Sequence, residues 1–209
     1  MHKSPIIVAI AGGSGAGKTT LAKKLLESLT DAAIIYHDSY YRDQANIPLS
    51  SRILVNYDHP ESLETSLLVE HIQALKNGQM VHVPEYDFTH HTRSDHVSQL
   101  APQSIIILDG ILILHDESLR PLIDYSFFVS TPSDIRFIRR LTRDIRERGR
   151  DAESVIAQYL STVRQAYEEF IAPTQKYADM TIDGMAEVDQ AMETMKQALL
   201  DVMQRVNTS

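Results

Sequence analysis

The sequence predicts an α/β domain in which a parallel β-sheet is covered by helices on both faces. Two observations favour this fold class. Short apolar runs typical of buried strands alternate with segments of helical periodicity. A glycine-rich turn at residues 12–19 joins the first of these strands to the first helix. The 209 residues suit a single domain, residues 1–209, that carries one small insertion.

The predicted elements follow one another along the whole chain. Runs rich in apolar residues predict strands at 6–10, 32–36, 104–108, 125–129 and 180–182. Apolar residues at helical spacing predict helices at 21–26, 62–76, 131–148, 152–171 and 186–205. We expect the second strand to lie beside the first. We also expect Ser133 or Asp134 to cap the helix that Gly149 interrupts.

One segment, residues 79–100, departs from this alternation. Val81 and Val83 alternate with His82 and Pro84, which is typical of a short strand, and residues 96–100 supply its antiparallel partner. The segment therefore predicts an inserted β-hairpin, and an insertion of this kind is a natural lid for a second substrate.

The turn at residues 12–19 has the pattern G-x-x-x-x-G-K-[ST] of a phosphate-binding loop. Its glycines let backbone N–H groups face a phosphate chain, Lys18 reaches the terminal phosphates, and the Thr19 hydroxyl can hold Mg²⁺. The alternative is a glycine-rich turn that binds nothing, which the flanking strand and helix disfavour. The residues predicted to bind a nucleoside triphosphate are Gly12, Gly13, Ser14, Gly15, Ala16, Gly17, Lys18, Thr19 and Thr20.

Two aspartates lie at the carboxyl ends of predicted strands, where ligands of parallel sheets gather. Asp109 follows four apolar residues, as a Walker-B acid does, and can hold Mg²⁺ opposite Thr19. Its alternative role is that of a turn residue before Gly110. Asp38 follows the second strand and can accept the proton of an attacking hydroxyl. A turn or helix-capping role fits Asp38 equally well on spacing alone.

Seven of the 20 basic residues fall in one short segment. They are Arg136, Arg139, Arg140, Arg143, Arg146, Arg148 and Arg150. Such a run could be a solvated helix face with pairs such as Asp144–Arg148. In a chain of net charge −8, this density beside Gly149 favours a mobile lid at about residues 143–154. Such a lid would stabilise a transferring phosphoryl group and exclude water.

Composition excludes several classes of site and of location. The chain has no cysteine, which rules out disulfides, thiolate metal sites and cysteine nucleophiles. No apolar run approaches the ~20 residues that span a bilayer. Residues 1–5 leave no room for a signal peptide, so we expect a cytoplasmic protein without membrane partners. The net charge of −8 argues against a nucleic-acid surface.

The predicted hairpin is rich in histidines and carboxylates. Its members are Glu85, Asp87, His90, His91, Asp95 and His96. Such side chains can bind transition metals, but their spacing matches no standard metal signature. A solvated hairpin with one histidine that binds a polar substrate fits better.

Seven ordered segments together resemble the bacterial uridine kinase (uridine–cytidine kinase) family of P-loop nucleoside kinases, from about residue 6 to residue 183. The segments are residues 10–19, 37–44, 56–60, 86–93, 109–112, 143–151 and 173–179. The resemblance implies a three-layer P-loop NTPase fold with a parallel sheet, an inserted β-hairpin and an arginine-rich helical lid. It also implies phosphorylation of the 5′-hydroxyl of uridine and cytidine to UMP and CMP, in pyrimidine salvage.

The same resemblance implies roles for particular residues. Asp38 would deprotonate the ribose 5′-hydroxyl, and Asp58 would hold the ribose hydroxyls. The residues implied to contact the pyrimidine are Tyr86 and His91, and the further nucleoside-binding positions are Arg140, Arg150 and Gln158. The lid arginines implied to face the phosphates, beside Lys18, are Arg143 and Arg148. The resemblance adds Mg²⁺, ATP or GTP as donor, a homotetramer, and feedback control by pyrimidine triphosphates.

The chain departs from the family pattern at two places. Asp109 stands where the family usually has Glu, so its shorter side chain is expected to reach Mg²⁺ through water. In the loop, Ala16-Gly17 stands where the family has Ser-Gly.

Three alternatives remain open at this point. One is another small-molecule P-loop kinase, similar to phosphoribulokinase or pantothenate kinase, against which the Tyr86 and His91 hairpin argues. Another is a GTP-binding switch, although the chain has no Asn-Lys-x-Asp motif to read guanine. The last is a structural protein with a vestigial loop.

Overall fold

The computed structural model describes residues 4–52 and 55–208. Residues 1–3, part of the stretch expected to lead directly into the first strand, lie outside the described residues. The strands are β1 Ile6–Gly12, β2 Ala32–Tyr36, β3 Val81–Asp87, β4 Thr92–Leu100, β5 Ile105–Asp109, β6 Tyr125–Ser130 and β7 Met180–Asp183. The helices are α1 Lys18–Glu27, α2 Leu49–Arg52, α3 Thr65–Lys76, α4 Ser133–Arg148, α5 Ala152–Gln158, α6 Arg164–Ala166 and α7 Val188–Thr208.

Five of the strands form one parallel sheet in the order β2-β5-β1-β6-β7. The prediction that the second strand lies beside the first was wrong, because β5 pairs with both and separates them. Four of the five residues of β5 are apolar and all five are buried, whereas β2 is buried at only one of its five residues. The more apolar strand therefore takes the interior position of the sheet.

Alternate side chains of β1 fill two separate cores, one on each face of the sheet. Ile7 and Ala9 face a core that also contains Ile72 of α3. Val8 and Ile10 face the opposite core, against α1 and α7. Both sets are fully buried, as expected for a strand covered on two sides. These three layers confirm the predicted α/β class.

The inserted hairpin is present, with β3 and β4 pairing as a separate antiparallel ribbon, and both strands are longer than predicted. It is fastened to the main body through Arg93, whose guanidinium forms a 2.7 Å ion pair with Glu64 and donates to the Tyr41 carbonyl at 2.8 Å. Thr92 adds a second anchor, since its hydroxyl accepts from the backbone N–H of Gln44. These contacts fix the hairpin at the edge of the sheet where β2 ends.

Three predicted helices differ in detail from those observed. The helix predicted from residue 62 begins at Thr65, because Leu63 instead forms an isolated antiparallel bridge with Tyr41. Neither Ser133 nor Asp134 caps α4: both lie inside it, and Pro132 occupies the capping position without a side-chain hydrogen bond. The predicted helix 152–171 contains π-helical turns at Tyr159–Val163 and Tyr167–Ile171.

Gly149 ends α4 as predicted, in the left-handed conformation with φ 63°. The remaining short turns are 3₁₀ segments at His37–Tyr40, Pro60–Ser62, Arg120–Leu122 and Ala172–Tyr177. Across residues 4–52 and 55–208, no helix combines the length and apolar character needed to cross a membrane.

We expect Ile107→Ala to lower the free energy of unfolding by about 2–5 kcal/mol, because it leaves a cavity inside the sheet. The matched control is Ile138→Ala on α4, whose side chain is 56% exposed, with an expected change within about 0.5 kcal/mol. Denaturant titration measures both. Equal losses in the two variants would contradict the interior position of β5.

Candidate active site

Three loops meet at the carboxyl edge of the parallel sheet. The loop at residues 12–17 follows β1, Asp109 ends β5, and the turn His37–Tyr40 follows β2. Asp109 lies at the same level as Ile10 of β1 and Tyr36 of β2. Because these three strands are consecutive in the sheet, the sequence motifs that follow them are brought together, as predicted.

Two glycines of the phosphate-binding loop are required by the packing of α4 beneath it. Gly15 has φ +77°, and a Cβ built there would lie 2.2 Å from the backbone oxygen of Arg136. A Cβ on Gly13 would lie 2.6 Å from the Arg136 guanidinium. Arg136 itself stacks on the ring of Tyr167, 3.6 Å from its centroid. This arginine therefore supports the loop from below and does not belong to the predicted lid.

Arg139 also lies outside the predicted lid. Its guanidinium donates to the carbonyl oxygens of Ala16 and Gly184, at 3.4 and 3.0 Å. It thus links the phosphate-binding loop to the segment that follows β7. Thr20, predicted to contact the nucleotide, is exposed on the first turn of α1.

Lys18, Thr19 and Asp109 form one polar group at the start of α1 and the end of β5, and Lys18 and Asp109 within it are buried. The Thr19 hydroxyl donates to Asp109 Oδ2 at 2.5 Å, and the Lys18 ammonium donates to the Gly13 carbonyl at 3.2 Å. Burial raises the pKa of Asp109, although Lys18 and Thr19 oppose this shift. Burial likewise lowers the pKa of Lys18. The Lys18 ammonium and the Asp109 carboxylate are thus separated from water, and their contacts within the protein compensate only in part for the lost hydration.

This group fits a hydrated divalent cation. Asp109 Oδ1 is buried and has no hydrogen-bond partner among the residues that the structure describes. A free carboxylate oxygen beside a hydroxyl oxygen is the donor set that Mg²⁺ takes in nucleotide sites.

The Asp38 side chain is left free between the two halves of the site. Within the described part of the chain, no side chain forms a hydrogen bond or ion pair with its carboxylate. Burial dominates the pKa shifts of Lys18, Asp58 and Asp109, and the Asp38 charge acts on each of them. The carboxylate is therefore within electrostatic range of the phosphate-binding loop on one side and of Asp58 on the other.

Four of the predicted nucleoside-binding residues form a connected polar group. Arg140 reaches the Asp58 carboxylate at 3.8 Å and donates to Gln158 Oε1 at 3.0 Å. Arg150 donates to the same Gln158 oxygen at 2.6 Å. Arg140 also donates to the hydroxyl of Ser14 at 3.0 Å, which joins this group to the phosphate-binding loop.

Tyr86 and His91, the other two predicted nucleoside-binding residues, lie in an aromatic cluster. Tyr57 stacks on the His91 ring with centroids 5.3 Å apart, and Tyr41 packs against both Tyr57 and Tyr86. Sequence reasoning missed Tyr41 and Tyr57 as part of the site, although both fall within segments of the resemblance. Burial, with the nearby charges of Arg150 and Arg148, lowers the pKa of His91 and so favours the neutral form of its ring.

The lid arginines are held together by a buried carboxylate, Asp144. It is fully buried and lies within 3.8 Å of four guanidiniums. They belong to Arg140, Arg143, Arg148 and Arg150. The predicted Asp144–Arg148 pair is thus one part of a larger cluster, not a solvated helix face. Arg148 also stacks on Phe88 of the hairpin at 4.6 Å, so lid and hairpin meet.

The histidine-rich hairpin is a hydrogen-bonded turn. Asp87 accepts from the backbone N–H groups of Thr89 and His90, and lies 2.6 Å from the His90 ring. These hydrogen bonds lower the pKa of Asp87 to about 2. No group of three or more potential ligand side chains in residues 4–52 and 55–208 is placed to hold a metal ion.

Comparison with known proteins assigns the chain to a protein family. The model of the phosphoribulokinase/uridine kinase family matches residues 7–191. The chain belongs to this family. A uridine kinase from Halalkalibacterium halodurans is 50% identical over 184 residues, 87% of each chain. A uridine kinase from Ligilactobacillus salivarius is 43% identical over 206 residues, 98% of this chain and 97% of its own.

The fold of the phosphoribulokinase/uridine kinase family also extends to distant solved structures. Phosphoribulokinase from Rhodobacter spheroides superposes with a TM-score of 0.62 at 15% identity, covering 91% of this chain and 75% of its own. At that identity the likeness concerns the fold alone. It confirms the predicted P-loop kinase architecture, and the family match confirms the resemblance found in the sequence.

His37 is a buried residue of the site that sequence reasoning did not single out. Its ring is 1% exposed, Nε2 lies 3.1 Å from the Thr65 hydroxyl, and its Cβ packs so closely against Gly110 that no side chain fits there. His37 therefore ties the turn that carries Asp38 to α3 and to the end of β5. Burial lowers its pKa from 6.5 to about 4.

We expect this histidine to make stability depend on pH. The unfolded chain binds a proton at His37 below pH 6.5, whereas the folded chain binds it only below about pH 4. The contribution of His37 to the free energy of unfolding is therefore fully present above pH 6.5 and is lost as the pH drops towards 4. The loss attributable to this group is roughly 3 kcal/mol. His37→Gln, which can still reach Thr65, should remove that part of the slope in denaturant titrations. An unchanged slope would contradict a buried neutral His37.

Proposed function

We propose that the protein transfers the γ-phosphoryl group of ATP or GTP to the 5′-hydroxyl of uridine, and also of cytidine, giving UMP or CMP for pyrimidine salvage. The observation that carries the proposal is the free Asp38 carboxylate between the phosphate-binding loop and the Asp58–Arg140 group. Relatives at 43–50% identity over most of the chain are uridine kinases, which supports uridine as the acceptor.

On the donor side, the phosphate-binding loop and Lys18 would hold the triphosphate. The backbone N–H groups at the start of α1 favour anions, and the partly desolvated Lys18 ammonium gains a phosphate in place of lost water. Thr19 and Asp109 are the residues that would hold Mg²⁺, Asp109 through water. When bound, the ion neutralises charge on the β- and γ-phosphates.

On the acceptor side, the polar group and the aromatic cluster suit a nucleoside. Asp58 has the two carboxylate oxygens that vicinal ribose hydroxyls need as acceptors. Tyr86 and His91 offer an aromatic edge and a neutral ring nitrogen to a pyrimidine. Arg140, Arg150 and Gln158 form a hydrogen-bonded set, and the charges of its two arginines act on Tyr41 and His91 of the aromatic cluster.

In the reaction, the Asp38 carboxylate would accept the proton of the 5′-hydroxyl while the oxygen attacks the γ-phosphorus in line with the leaving nucleotide. Arg143 and Arg148 would stabilise the charge on the transferring group. Both are partly exposed on the lid, so they can turn from Asp144 towards a phosphate. Closure of the lid on the hairpin would exclude water as a competing acceptor.

The assembly that the family resemblance implies, a homotetramer in the cytoplasm, is part of the same proposal. Light scattering on the purified protein measures its mass directly.

The test of the proposed function is an initial-rate matrix of uridine, cytidine, adenosine and pantothenate against ATP and GTP with Mg²⁺. We expect rates with uridine and cytidine well above those with the other two acceptors. A preference for pantothenate, or for no acceptor in the set, would overturn the proposal.

We expect Asp38→Asn to reduce kcat by about 100-fold or more, because the amide cannot accept the 5′-hydroxyl proton. Uridine binding should stay within a few-fold of the unmodified protein. The control is Glu61→Gln, which removes an equal charge from an exposed side chain. Steady-state kinetics with uridine gives both values, and a near-normal kcat in Asp38→Asn would exclude Asp38 as the base.

We expect Arg150→Ala to raise the KM for uridine by about 10-fold or more, because Gln158 then loses its shortest hydrogen bond from a charged donor. The KM for the nucleotide should change little. Arg146→Ala, at an exposed position of the same arginine-rich segment, is the matched control. A change confined to the nucleotide KM would show that Arg150 serves the donor side.

A further inference from the structure

The Asp144 cluster contains more positive charge than one carboxylate can satisfy. Among the described residues, Arg143 is the one that forms hydrogen bonds with the Asp144 carboxylate, donating twice to Oδ1 at 2.8 and 2.9 Å. The nitrogens of the other three guanidiniums lie 3.6–3.8 Å from the Asp144 carboxylate oxygens, which is beyond hydrogen-bond distance. The carboxylate is therefore oriented towards Arg143, and it forms no hydrogen bond with the other three described arginines of the cluster.

Two atoms in this cluster are buried and unsatisfied, and they face each other. Asp144 Oδ2 and Arg140 Nε each have no hydrogen-bond partner among the residues that the structure describes, and 3.6 Å separates them. A buried polar atom without a partner destabilises the state that contains it. A small rotation of the Asp144 side chain would bring these two atoms into contact.

The four arginines serve different halves of the site. Arg143 and Arg148 are about one-third exposed and face the donor side in the proposed function. Arg140 and Arg150 share Gln158, and Arg140 also reaches Asp58, so both belong to the acceptor side. In the part of the chain that the structure describes, Asp144 is thus the one carboxylate that pairs with arginines of both groups.

We propose, on the basis of the proposed function, that Asp144 is a positioning residue that couples the two substrate sites through an exchange of partners. The γ-phosphate draws Arg143 away from Asp144 Oδ1. The released carboxylate then turns to Arg140 Nε and Arg150, which fixes both arginines against Gln158 and Asp58. Bound nucleotide therefore tightens nucleoside binding, and by thermodynamic reciprocity bound nucleoside tightens nucleotide binding by the same factor.

The test is the dissociation constant of uridine, measured by calorimetry with and without a saturating non-hydrolysable ATP analogue and Mg²⁺. The unmodified protein should bind uridine about 5-fold or more tightly with the analogue present. In Asp144→Asn, which keeps the size of the side chain but not its charge, the ratio should fall below about 2-fold. The control is Glu147→Gln, an exposed carboxylate of the same helix, which should keep the full ratio.

The ratio of the two dissociation constants of uridine does not change when affinity falls equally with and without the analogue. A merely structural role of Asp144 would produce such an equal fall. Independent binding in the unmodified protein, or a full ratio in Asp144→Asn, would overturn the exchange while leaving the proposed function intact. Absence of any uridine binding would overturn the proposed function and the exchange together. If Asp144→Asn does not fold, Arg140→Lys removes the opposite partner, and a retained ratio there would equally overturn the exchange.

Discussion

The parallel pairing of β5 with both β1 and β2 is the constraint on which the rest of the site depends. Asp109 is level with Ile10 on one side and Tyr36 on the other, so the phosphate-binding loop, the Thr19–Asp109 contact and the Asp38 turn all start from one edge. The pairing is stable because β5 is buried on both faces. A shift of one residue in either register would turn these side chains to the wrong face of the sheet.

A second constraint is the placement of charge in this acidic chain. The net charge is −8, yet arginines gather where phosphates are expected, and buried carboxylates balance them only in part. Burial separates the charged groups of Lys18 and Asp109 from water. Of the four arginines around Asp144, only Arg143 forms hydrogen bonds with its carboxylate in the described part of the chain. A site with such unsatisfied charges favours ligands that supply the missing partners. In the proposed function these ligands are a polyphosphate, a hydrated cation and a polyhydroxylated acceptor.

Much of this arrangement was predictable from the sequence, because it depends on local signals. The loop pattern, the apolar strands and the Gly149 stop are short-range features, and they predicted the fold class, the hairpin and the break after α4. The order of strands was predicted wrongly, because β2 follows β1 along the chain while the more apolar β5 takes the place between them. Helical spacing does not reveal how α4 packs against the loop. This packing decides that Arg136 stacks on Tyr167, that Arg139 donates to the Gly184 carbonyl and that Asp144 is buried.

The claim that donor and acceptor meet in one site that excludes water is tested most directly by the stoichiometry of nucleotide use. The measurement is the amount of ATP consumed with Mg²⁺, with and without uridine, together with the amount of UMP formed. We expect little consumption without uridine, and with uridine one UMP for each ATP consumed. Rapid hydrolysis that uridine does not change would contradict the claim, and would indicate a nucleotide-hydrolysing switch instead.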